Sequence, residues 1–350
     1  MIKYLGSKRA LLPQIVVAIG DCLRELGLQP THSTVLDAFS GTARVGHALK
    51  RIGCRVIAND HNAYAHALAR CYVQADADDL LAPATGLVMQ LNAIAGAAPQ
   101  APGASEWFAR RYAHEARYIH PDNAARIARL RDEIAARDLG AELEAVMLVS
   151  LMEAADRVDS TTGLQMAYLK QWAPRALSHL NLRTPDLLPR APAGKGMAIC
   201  LNAADAVELD ADVAYLDPPY NQHSYLGNYH VWETLIRWDD PEVFGIARKR
   251  IDCRERKSDF NSRRRHAPAL AGLIQRVRAR AIVLSFSDDG WSERTEIESL
   301  LAARGRVQSV EIDYPRYVGA RIGIHNPRGE SVGTVGRLRN REVIYRVVCR

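Results

Sequence analysis

Hydrophobic and polar positions near the start of the chain follow two different periodicities. Residues 11–26 place apolar side chains at helical spacing, which predicts a helix, and residues 45–52 do the same over a shorter stretch. Short apolar runs at residues 34–39 and 54–58 predict strands. The order strand, turn, helix, strand predicts a β-turn-α-β unit, which is how a doubly wound nucleotide-binding sheet begins.

The middle of the chain has a different composition. From about residue 63 to residue 188, Ala, Leu, Arg and Glu recur at helical spacing, and residues 124–137 and 142–155 give the strongest helical signals. A stretch rich in Gly, Ala and Pro interrupts this region at residues 95–104, and residues 185–196 have the composition of a linker. These features predict a mainly helical region.

Strand signals return after the helical region. Apolar runs predict further strands at residues 197–201, 213–216, 281–286, 307–314 and 342–348, with a helix at residues 293–304. The predicted fold class is therefore α/β. We expect residues 1–72 and 196–350 to form one domain, interrupted by a helical insertion over residues 73–195.

Composition narrows the class of protein. With 350 residues and 48% hydrophobic composition, the chain is long enough for a large core and a second lobe. The apolar stretch at residues 15–19 ends at Gly20, so we expect neither a signal peptide nor a membrane span. The six cysteines form no C-x-x-C pair and have no histidine at metal-ligand spacing, so we expect a reduced, cytoplasmic protein without a metal.

Positive charge is concentrated in one segment. The formal net charge of the whole chain is +6, and residues 248–265 alone hold nine basic and three acidic residues. An excess of this kind suits a polyanion, because each phosphate that is neutralised releases condensed counterions. A solvated basic loop is the alternative.

The most specific motif is Asp217-Pro218-Pro219-Tyr220, directly after the predicted strand at residues 213–216. Loops at the carboxyl ends of parallel strands are where open α/β sheets bind ligands. An exocyclic amine is a poor nucleophile, and acceptors such as the Asp217 carboxylate and the Pro218 carbonyl favour its pyramidal, reactive form. The prolines restrict the direction of that carbonyl, and Tyr220 offers a face for a base rotated out of a duplex. An ordinary Pro-Pro turn is the alternative.

Two turns follow the first two predicted strands. Residues 34–39 lead into the small-residue turn Ser40-Gly41-Thr42, where the backbone can approach a ligand closely. Asn59-Asp60 comes after the second strand, where doubly wound folds place an acid that binds ribose hydroxyls. A helix N-cap is the other interpretation of Asp60. Together these turns predict a nucleoside ligand.

At these residues the chain resembles the D12 class of DNA adenine-N6 methyltransferases, the family that includes the Dam-type enzymes. The resemblance covers most of the chain and has four elements in the family's order: Lys3-Tyr4-Leu5-Gly6-Ser7-Lys8, the turn at residues 37–41, Asn59-Asp60, and Asp217-Pro218-Pro219-Tyr220. It implies a Rossmann-like S-adenosylmethionine-dependent methyltransferase sheet with the helical insertion as target-recognition lobe. The sequence departs from the family's glycine-rich pattern at Ala43, where Gly is common.

The resemblance also implies which residues hold the cofactor, S-adenosyl-L-methionine. From the methionine end to the adenine end, they are Tyr4, Gly6, Lys8, Asp37, Phe39, Ser40, Gly41, Asp60 and Asp205. Asp60 would bind the ribose, and Asp205 would lie at the adenine.

Other residues are candidates for contacts with double-stranded DNA. Tyr225 closely follows Tyr220 in a segment suited to a lid over a flipped base, and Tyr168 and Lys170 follow a predicted helix. A surface loop and core packing, respectively, are the alternatives. Basic residues with interleaved aromatic ones suit phosphate and base contacts. The basic candidates are Arg248, Lys249, Arg250, Arg263, Arg264, Arg265, Arg316 and Arg321.

The implied activity is direct methyl transfer to N6 of a flipped adenine in duplex DNA. None of the six cysteines follows a proline, so the Pro-Cys nucleophile of cytosine-C5 methylation is absent. Cytosine-N4 methylation, RNA or protein-glutamine methylation, and a non-catalytic DNA-binding role are the alternatives. We expect a monomer, and we name a cognate restriction enzyme as a partner to be tested.

Overall fold

A seven-stranded sheet forms the centre of the computed structural model, which describes residues 1–96, 105–315 and 339–350. A short hairpin, β5 with β6, lies apart from it. The strands are β1 Thr34–Asp37, β2 Arg55–Asn59, β3 Met197–Ile199, β4 Val213–Leu216, β5 Val243–Phe244, β6 Lys249–Arg250, β7 Ala281–Ser287, β8 Gly305–Pro315 and β9 Arg339–Cys349.

The strand order in the main sheet is β3-β2-β1-β4-β7-β9-β8. The first five of these are parallel to one another, whereas β9 is antiparallel to both β7 and β8. The sheet is therefore mostly parallel. Because the strand order reverses between β1 and β4, the carboxyl ends of these two strands flank the crevice where open α/β sheets bind ligands.

Helices flank the sheet, and five of those in the described residues lie between β2 and β3. They are α1 Leu12–Glu25, α2 Arg44–Arg51, α3 Ala63–Ala69, α4 Ala77–Gly96, α5 Glu106–Ala109, α6 Pro121–Ala135, α7 Ala141–Arg157, α8 Ala203–Ala206, α9 Tyr225–Asn228, α10 His230–Arg237, α11 Asp252–Glu255, α12 His266–Arg276 and α13 Arg294–Ala302. None of these helices is both long and apolar enough to cross a membrane.

Both faces of the sheet are buried, which explains the continuous apolar runs of its strands. Along β4, Val213 and Tyr215 belong to one hydrophobic cluster, and Ala214 and Leu216 belong to the other. The first cluster also contains apolar residues of α1, α2 and the helices from α3 to α7. The helical region and this face of the sheet therefore share one continuous core.

Most predicted elements are confirmed, with ends displaced by a few residues. The predicted strand at residues 213–216 coincides with β4, and the helix predicted at residues 11–26 is α1. The expectation of helix up to residue 188 was wrong in its last part. Residues 158–196 contain a single short helix, the 3₁₀ turn Pro174–Leu177. Prolines at positions 174, 185, 189 and 192 remove backbone donors and prevent longer helices there.

Candidate active site

An open cleft of about 890 Å³ lies where the turns after β1, β2 and β4 meet the N-terminal segment. It brings together most of the predicted cofactor residues with the catalytic motif. The predicted residues that line it are Tyr4, Gly6, Lys8, Asp37, Phe39, Ser40, Gly41, Asp60, Asp217, Pro219 and Tyr225. Residues more than two hundred positions apart in the sequence therefore converge on one cleft.

Asp217 leaves the end of β4 with its two carboxylate oxygens in different surroundings. Its Oδ1 atom is 2.9 Å from the Lys8 ammonium and accepts a 3.0 Å hydrogen bond from the Ser285 hydroxyl. Ser285 lies on the neighbouring strand β7, and its Oγ is 2.8 Å from the Tyr215 hydroxyl. No described residue donates to Oδ2. The carboxylate is thus fixed through one oxygen, and the other is left to accept a hydrogen bond.

Lys8 bridges Asp217 and a second carboxylate, that of Glu342 on β9. Both ends of the Lys8–Glu342 contact are buried, with 8% and 1% of the respective side chains exposed. Burial alone would lower the pKa of Lys8, but Asp217 and Glu342 outweigh it and raise that pKa well above its usual value. The lysine is therefore held as a cation.

Burial raises the pKa of Asp217 above the usual carboxyl range. Lys8 acts in the opposite direction, and the charge of Glu342 adds to the increase. A raised pKa makes this carboxylate more basic than an exposed aspartate, which suits a group that must accept a proton or a hydrogen bond.

The rest of the motif packs beside this carboxylate. Pro219 lines the cleft, whereas Pro218 is buried and Tyr220 is half-buried. The Tyr220 ring meets Phe286 edge to face at 5.8 Å, and its carbonyl accepts a 3.2 Å hydrogen bond from the Trp291 N–H. Tyr220 is thus held against β7 at the margin of the cleft.

Asp37, the last residue of β1, is a buried acid without a hydrogen-bond donor of normal geometry among the described residues. Burial raises its pKa to about 8, with contributions from the charges of Asp217 and Asp60. The backbone N–H groups of Phe39 and Gly46 oppose this increase. An unsatisfied buried carboxyl is costly, so this position suits a cationic ligand group that would pair with it.

Asp60 holds the two turns in place. Its carboxylate accepts hydrogen bonds from the Gly41 N–H at 3.1 Å and from the Asn62 N–H at 2.9 Å. The N-cap of α3 is Asn62, and Asp60 fixes that residue. This geometry joins the turn after β1 to the turn after β2, so the cleft wall is a single hydrogen-bonded unit.

Tyrosine rings also line the cleft, among them Tyr4 and Tyr225. Tyr4 stacks between Tyr225, at 5.2 Å and 9° between ring planes, and Tyr229, at 4.5 Å and 17°. Gly6 has a φ of +74°, and a Cβ there would lie 2.5 Å from the Tyr225 hydroxyl. Both the backbone and the space therefore require glycine at this position.

Asp205 is placed differently from the expectation. It belongs to the one-turn helix α8, whose N-cap Asn202 accepts a hydrogen bond from the Ala204 N–H. This turn directs Ala203 into the cleft, while Asp205 is exposed and lies 3.3 Å from Arg276. Since Asp205 does not line the cleft, the expectation that it contacts the adenine is corrected.

The basic segment divides into buried and exposed residues. Arg250 is 2% exposed, and its guanidinium pairs with both oxygens of Asp239, at 2.7 and 2.8 Å, and with Asp252. The expectation that Arg250 contacts DNA is therefore corrected, since its charge is taken up inside the protein. Arg248 is 3.1 Å from Glu115, and Lys249 is half-buried with its ammonium 2.8 Å from the sulfur of Met166.

Three consecutive arginines of the segment are exposed in the turn before α12. Arg263 and Arg264 are exposed and have no ion-pair partner among the described residues, whereas Arg265 is 3.0 Å from Asp259. Arg316 and Arg321 lie outside the described residues. Arg263 and Arg264 therefore remain available to a polyanion, and Arg254 and Lys257, earlier in the segment, are exposed as well.

Tyr168 and Lys170 lie far along the chain from the motif and do not line the cleft. The Tyr168 ring packs edge to face on Tyr118 at 5.6 Å, as the core-packing alternative predicts. Lys170 is exposed, and its carbonyl accepts a hydrogen bond from Arg117.

The sequence patterns did not identify Ser285 or Glu342, and they identified Arg256 only as one of the basic residues at 248–265. Arg256 lines the cleft, pairs with the fully buried Glu233 at 3.0 Å and donates to the His61 carbonyl. Ser285 interrupts the apolar run of β7, and this exception to the pattern was the available signal, whereas Glu342 lies in the polar first part of β9 and gave none. No cluster of possible metal ligands occurs in the part of the chain that the structure describes.

Comparison with known proteins identifies relatives of this chain. It is 29% identical over 322 residues to the type II methyltransferase M.FokI of Planomicrobium okeanokoites and 27% identical over 334 residues to the modification methylase StsI of Streptococcus sanguinis. These matches cover 89% and 90% of this chain but only 48% and 49% of those two proteins. The chain thus spans about half the length of these relatives.

A third relative has nearly the same extent. The type II methyltransferase M.NlaIII of Neisseria lactamica is 26% identical over 338 residues, which cover 94% of this chain and 96% of that protein. The family model of D12 class N6 adenine-specific DNA methyltransferases matches residues 4–263, which include the N-terminal segment, both turns and the Asp217 motif. The chain belongs to the D12 class of N6 adenine-specific DNA methyltransferases.

Proposed function

We propose that this protein transfers a methyl group from S-adenosyl-L-methionine to N6 of an adenine flipped out of duplex DNA. The observation that carries the proposal is the asymmetry of Asp217. Lys8 and Ser285 both engage Oδ1, so that Oδ2 is oriented and free of donors from the described residues. An exocyclic NH₂ group is a donor that this oxygen can accept.

The cofactor would bind in the cleft at the carboxyl ends of β1 and β2, on a Rossmann-like sheet. Asp37, buried and without a donor, would pair with the amino group of the methionine moiety. Gly41 would lie near the amino and carboxylate groups with Asp37, Asp60 would bind the ribose, and Phe39 and Ser40 would line the same part of the cleft. When bound, S-adenosyl-L-methionine supplies a methyl group on a positively charged sulfur.

The residues around the amine would act by position and electrostatics. Asp217 Oδ2 and the Pro218 carbonyl would accept hydrogen bonds from N6, which draws its lone pair out of conjugation with the ring. The face of Tyr220 would stack on the base. As N6 gains positive charge, the Asp217 carboxylate would stabilise that charge and then take up the proton that N6 releases.

Exposed positive charge in the basic segment supports the proposal that the protein binds DNA. Arg263 and Arg264 would contact the phosphate backbone beside the cleft, and residues 73–195 would recognise the target sequence. We further propose a cytoplasmic monomer. A cognate restriction enzyme as a partner is proposed because relatives are named type II methyltransferases and modification methylases.

Transfer of radiolabelled methyl groups to unmodified duplex DNA, followed by nucleoside analysis, tests the proposal. The variant Asp217→Asn keeps the size of the side chain but replaces Oδ2 or Oδ1 with a donor, and Asp205→Asn is the matched control outside the cleft. We expect N6-methyladenine from the unchanged protein and the control, and a decrease of about 10²- to 10³-fold in Asp217→Asn.

Other products would change the proposal in defined ways. N4-methylcytosine would keep the amine chemistry and change the base. Methylation of RNA or protein alone would overturn the DNA substrate. Binding of duplex DNA without binding of the cofactor would identify a non-catalytic DNA-binding protein.

A further inference from the structure

Arg256 is the basic residue of the segment at residues 248–265 that lines the cleft. Its guanidinium is 3.0 Å from the carboxylate of Glu233 on α10, and it also donates a hydrogen bond to the His61 carbonyl. One third of the Arg256 side chain is exposed, whereas the Glu233 side chain is fully buried. Because a buried carboxylate needs a partner, Glu233 holds this guanidinium at the cleft.

Glu233 also contacts the stretch after β2 directly. Its Oε2 atom accepts a 3.1 Å hydrogen bond from the Tyr64 N–H in the first turn of α3, while Oε1 pairs with Arg256. The ion pair therefore holds both ends of the short stretch from His61 to Tyr64. Asp60, the proposed ribose ligand, comes directly before this stretch. The position of Asp60 at the cleft thus depends on the ion pair.

Residues 256–261, which we call the strap, also contact the turn after β1. The Phe260 ring meets the Phe39 ring edge to face, with ring centroids 5.4 Å apart and 89° between the ring planes. Phe260 is buried, and Phe39 lines the cleft. The strap is therefore packed against the turn after β1 as well as hydrogen-bonded to the turn after β2.

Asn261 joins the other end of the strap to the loop after the catalytic motif. Its side-chain amide donates hydrogen bonds to the carbonyls of Asn221, at 2.8 Å, and His223, at 3.1 Å. Asn221 directly follows Tyr220, whose ring would stack on the target base. Two hydrogen bonds from one side chain restrict this loop, so Asn261 limits the positions that Tyr220 can adopt.

We propose that Arg256 and Asn261 are positioning residues for methyl transfer, with Arg256 holding the turn that carries Asp60 for the cofactor and Asn261 holding the loop after Tyr220 for the target base. This inference rests on the proposed function. The two side chains lie at opposite ends of the strap and act through different parts of the cleft. Loss of Arg256 should therefore impair cofactor binding, and loss of Asn261 should impair the transfer step.

Two measurements on the full chain separate these roles: calorimetric titration with S-adenosylmethionine, and single-turnover methyl transfer at saturating cofactor and duplex DNA. Arg256→Lys keeps a cation for Glu233, but a compact ammonium does not span both acceptors as the planar guanidinium does. We expect it to weaken cofactor binding by about five- to tenfold, on the scale of one hydrogen bond, and to leave the saturated rate unchanged. Arg254→Lys is the matched control for cofactor binding, because Arg254 is exposed and outside the cleft.

Asn261→Ala should show the opposite profile. It releases the carbonyls of Asn221 and His223, so the saturated rate should fall by about tenfold through misplacement of the base, while cofactor binding stays unchanged. Gln275→Ala removes an exposed amide side chain from α12 and is the control for both measurements.

A purely structural role for the strap would not divide the two measurements in this way. Equal losses in both, or no loss in either, for a folded Arg256→Lys or Asn261→Ala would overturn the inference. Thermal unfolding identifies a variant that does not fold, and the other variant then decides the question alone. Failure of the unchanged protein to bind S-adenosylmethionine or to methylate DNA would instead reject the proposed function, so the two failures are distinguishable.

Discussion

The Asp217 cluster and the basic segment at residues 248–265 are both concentrations of charge, but the fold treats them in opposite ways. In the cluster, Lys8, Asp217 and Glu342 come from three distant parts of the chain and meet in one buried contact. In the segment, basic residues that are close in sequence have different degrees of burial. Arg250 enters the interior, whereas Arg263 faces solvent.

This difference shows that burial, rather than proximity in the sequence, decides what a charge can do. A buried charge must have a partner, so the partner of Arg250 is set by the fold and its role is stability. An exposed charge is hydrated and keeps its freedom to bind a polyanion. Counting the basic residues of a segment therefore overstates the number that can contact DNA.

The largest effect is expected where the basic segment enters the core. Arg250→Ala would remove a buried guanidinium and leave Asp239 and Asp252 paired only with Arg237, which should lower the free energy of unfolding by about 1–3 kcal/mol. Arg263→Ala is the matched control and should change it by less than about 0.5 kcal/mol. Urea denaturation measures both. Equal stability of the two variants would mean that Arg250 stabilises the fold no more than the exposed Arg263 does, which would contradict the division of the segment into buried and exposed residues.

The next effect concerns the unsatisfied acid of the cleft. Asp37→Asn should weaken binding of S-adenosylmethionine by about 10- to 100-fold, the value of a hydrogen bond to a charged group. Calorimetry in buffers of different ionisation enthalpy gives a sharper test. With a pKa of about 8, Asp37 is mostly protonated at pH 7, and pairing with an ammonium would ionise it and release a proton.

The released proton distinguishes Asp37 from a residue that only shapes the cleft. In Asp37→Asn the buffer dependence of the binding enthalpy should disappear, while Asp205→Asn, outside the cleft, should keep it. Retention of the full dependence in Asp37→Asn would assign the proton to another group.

Local patterns predicted the parts of the site that depend on single strands. The Asp217 motif and the turns at Ser40 and Asp60 each follow a strand whose apolar run could be read directly, and all three line the cleft. Strand order then brings them together, because the carboxyl ends of parallel strands share one edge.

Pairing across the sheet could not be predicted in this way. Ser285 is brought to Asp217, and Glu342 to Lys8 beside it, only through the registers of β4 with β7 and of β7 with β9, which no local pattern specifies. The expectation for Asp205 was wrong for a local reason rather than a long-range one. A one-turn helix rotates it away from the cleft, and rotation within so short an element is not encoded in periodicity.

A third effect would sharpen the comparison within the exposed turn. The logarithm of the DNA-binding constant falls linearly with the logarithm of the salt concentration, and each phosphate contact makes this slope steeper by about 0.9 for duplex DNA. Replacing Arg263 and Arg264 with Gln should therefore make the slope shallower by about 1.8. Fluorescence anisotropy between low and moderate salt measures this change. Adding Arg265→Gln should make the slope shallower by less than a further 0.9, because Arg265 already pairs with Asp259. An unchanged slope would mean that these arginines make no phosphate contacts and that the turn is a solvated loop.

The smallest effect is expected at Ala43, where the sequence departs from the family's glycine. Ala43 has a φ of +58°, in the left-handed region, which costs a residue with a Cβ about 1–2 kcal/mol. Ala43→Gly would remove this strain. It would also add backbone entropy to the unfolded chain, worth about 0.5–1 kcal/mol, and remove a fully buried methyl group, worth about 0.8 kcal/mol.

These contributions nearly cancel, so the stability of Ala43→Gly should lie within about 1 kcal/mol of the unchanged protein. Ala43→Val is the contrasting variant, since a β-branched side chain is strongly disfavoured at positive φ and should lower stability well beyond that range. Thermal unfolding of the two variants measures the difference. A large loss in Ala43→Gly would show that the methyl group, packed against the core beside the cleft, matters more than the backbone strain it causes.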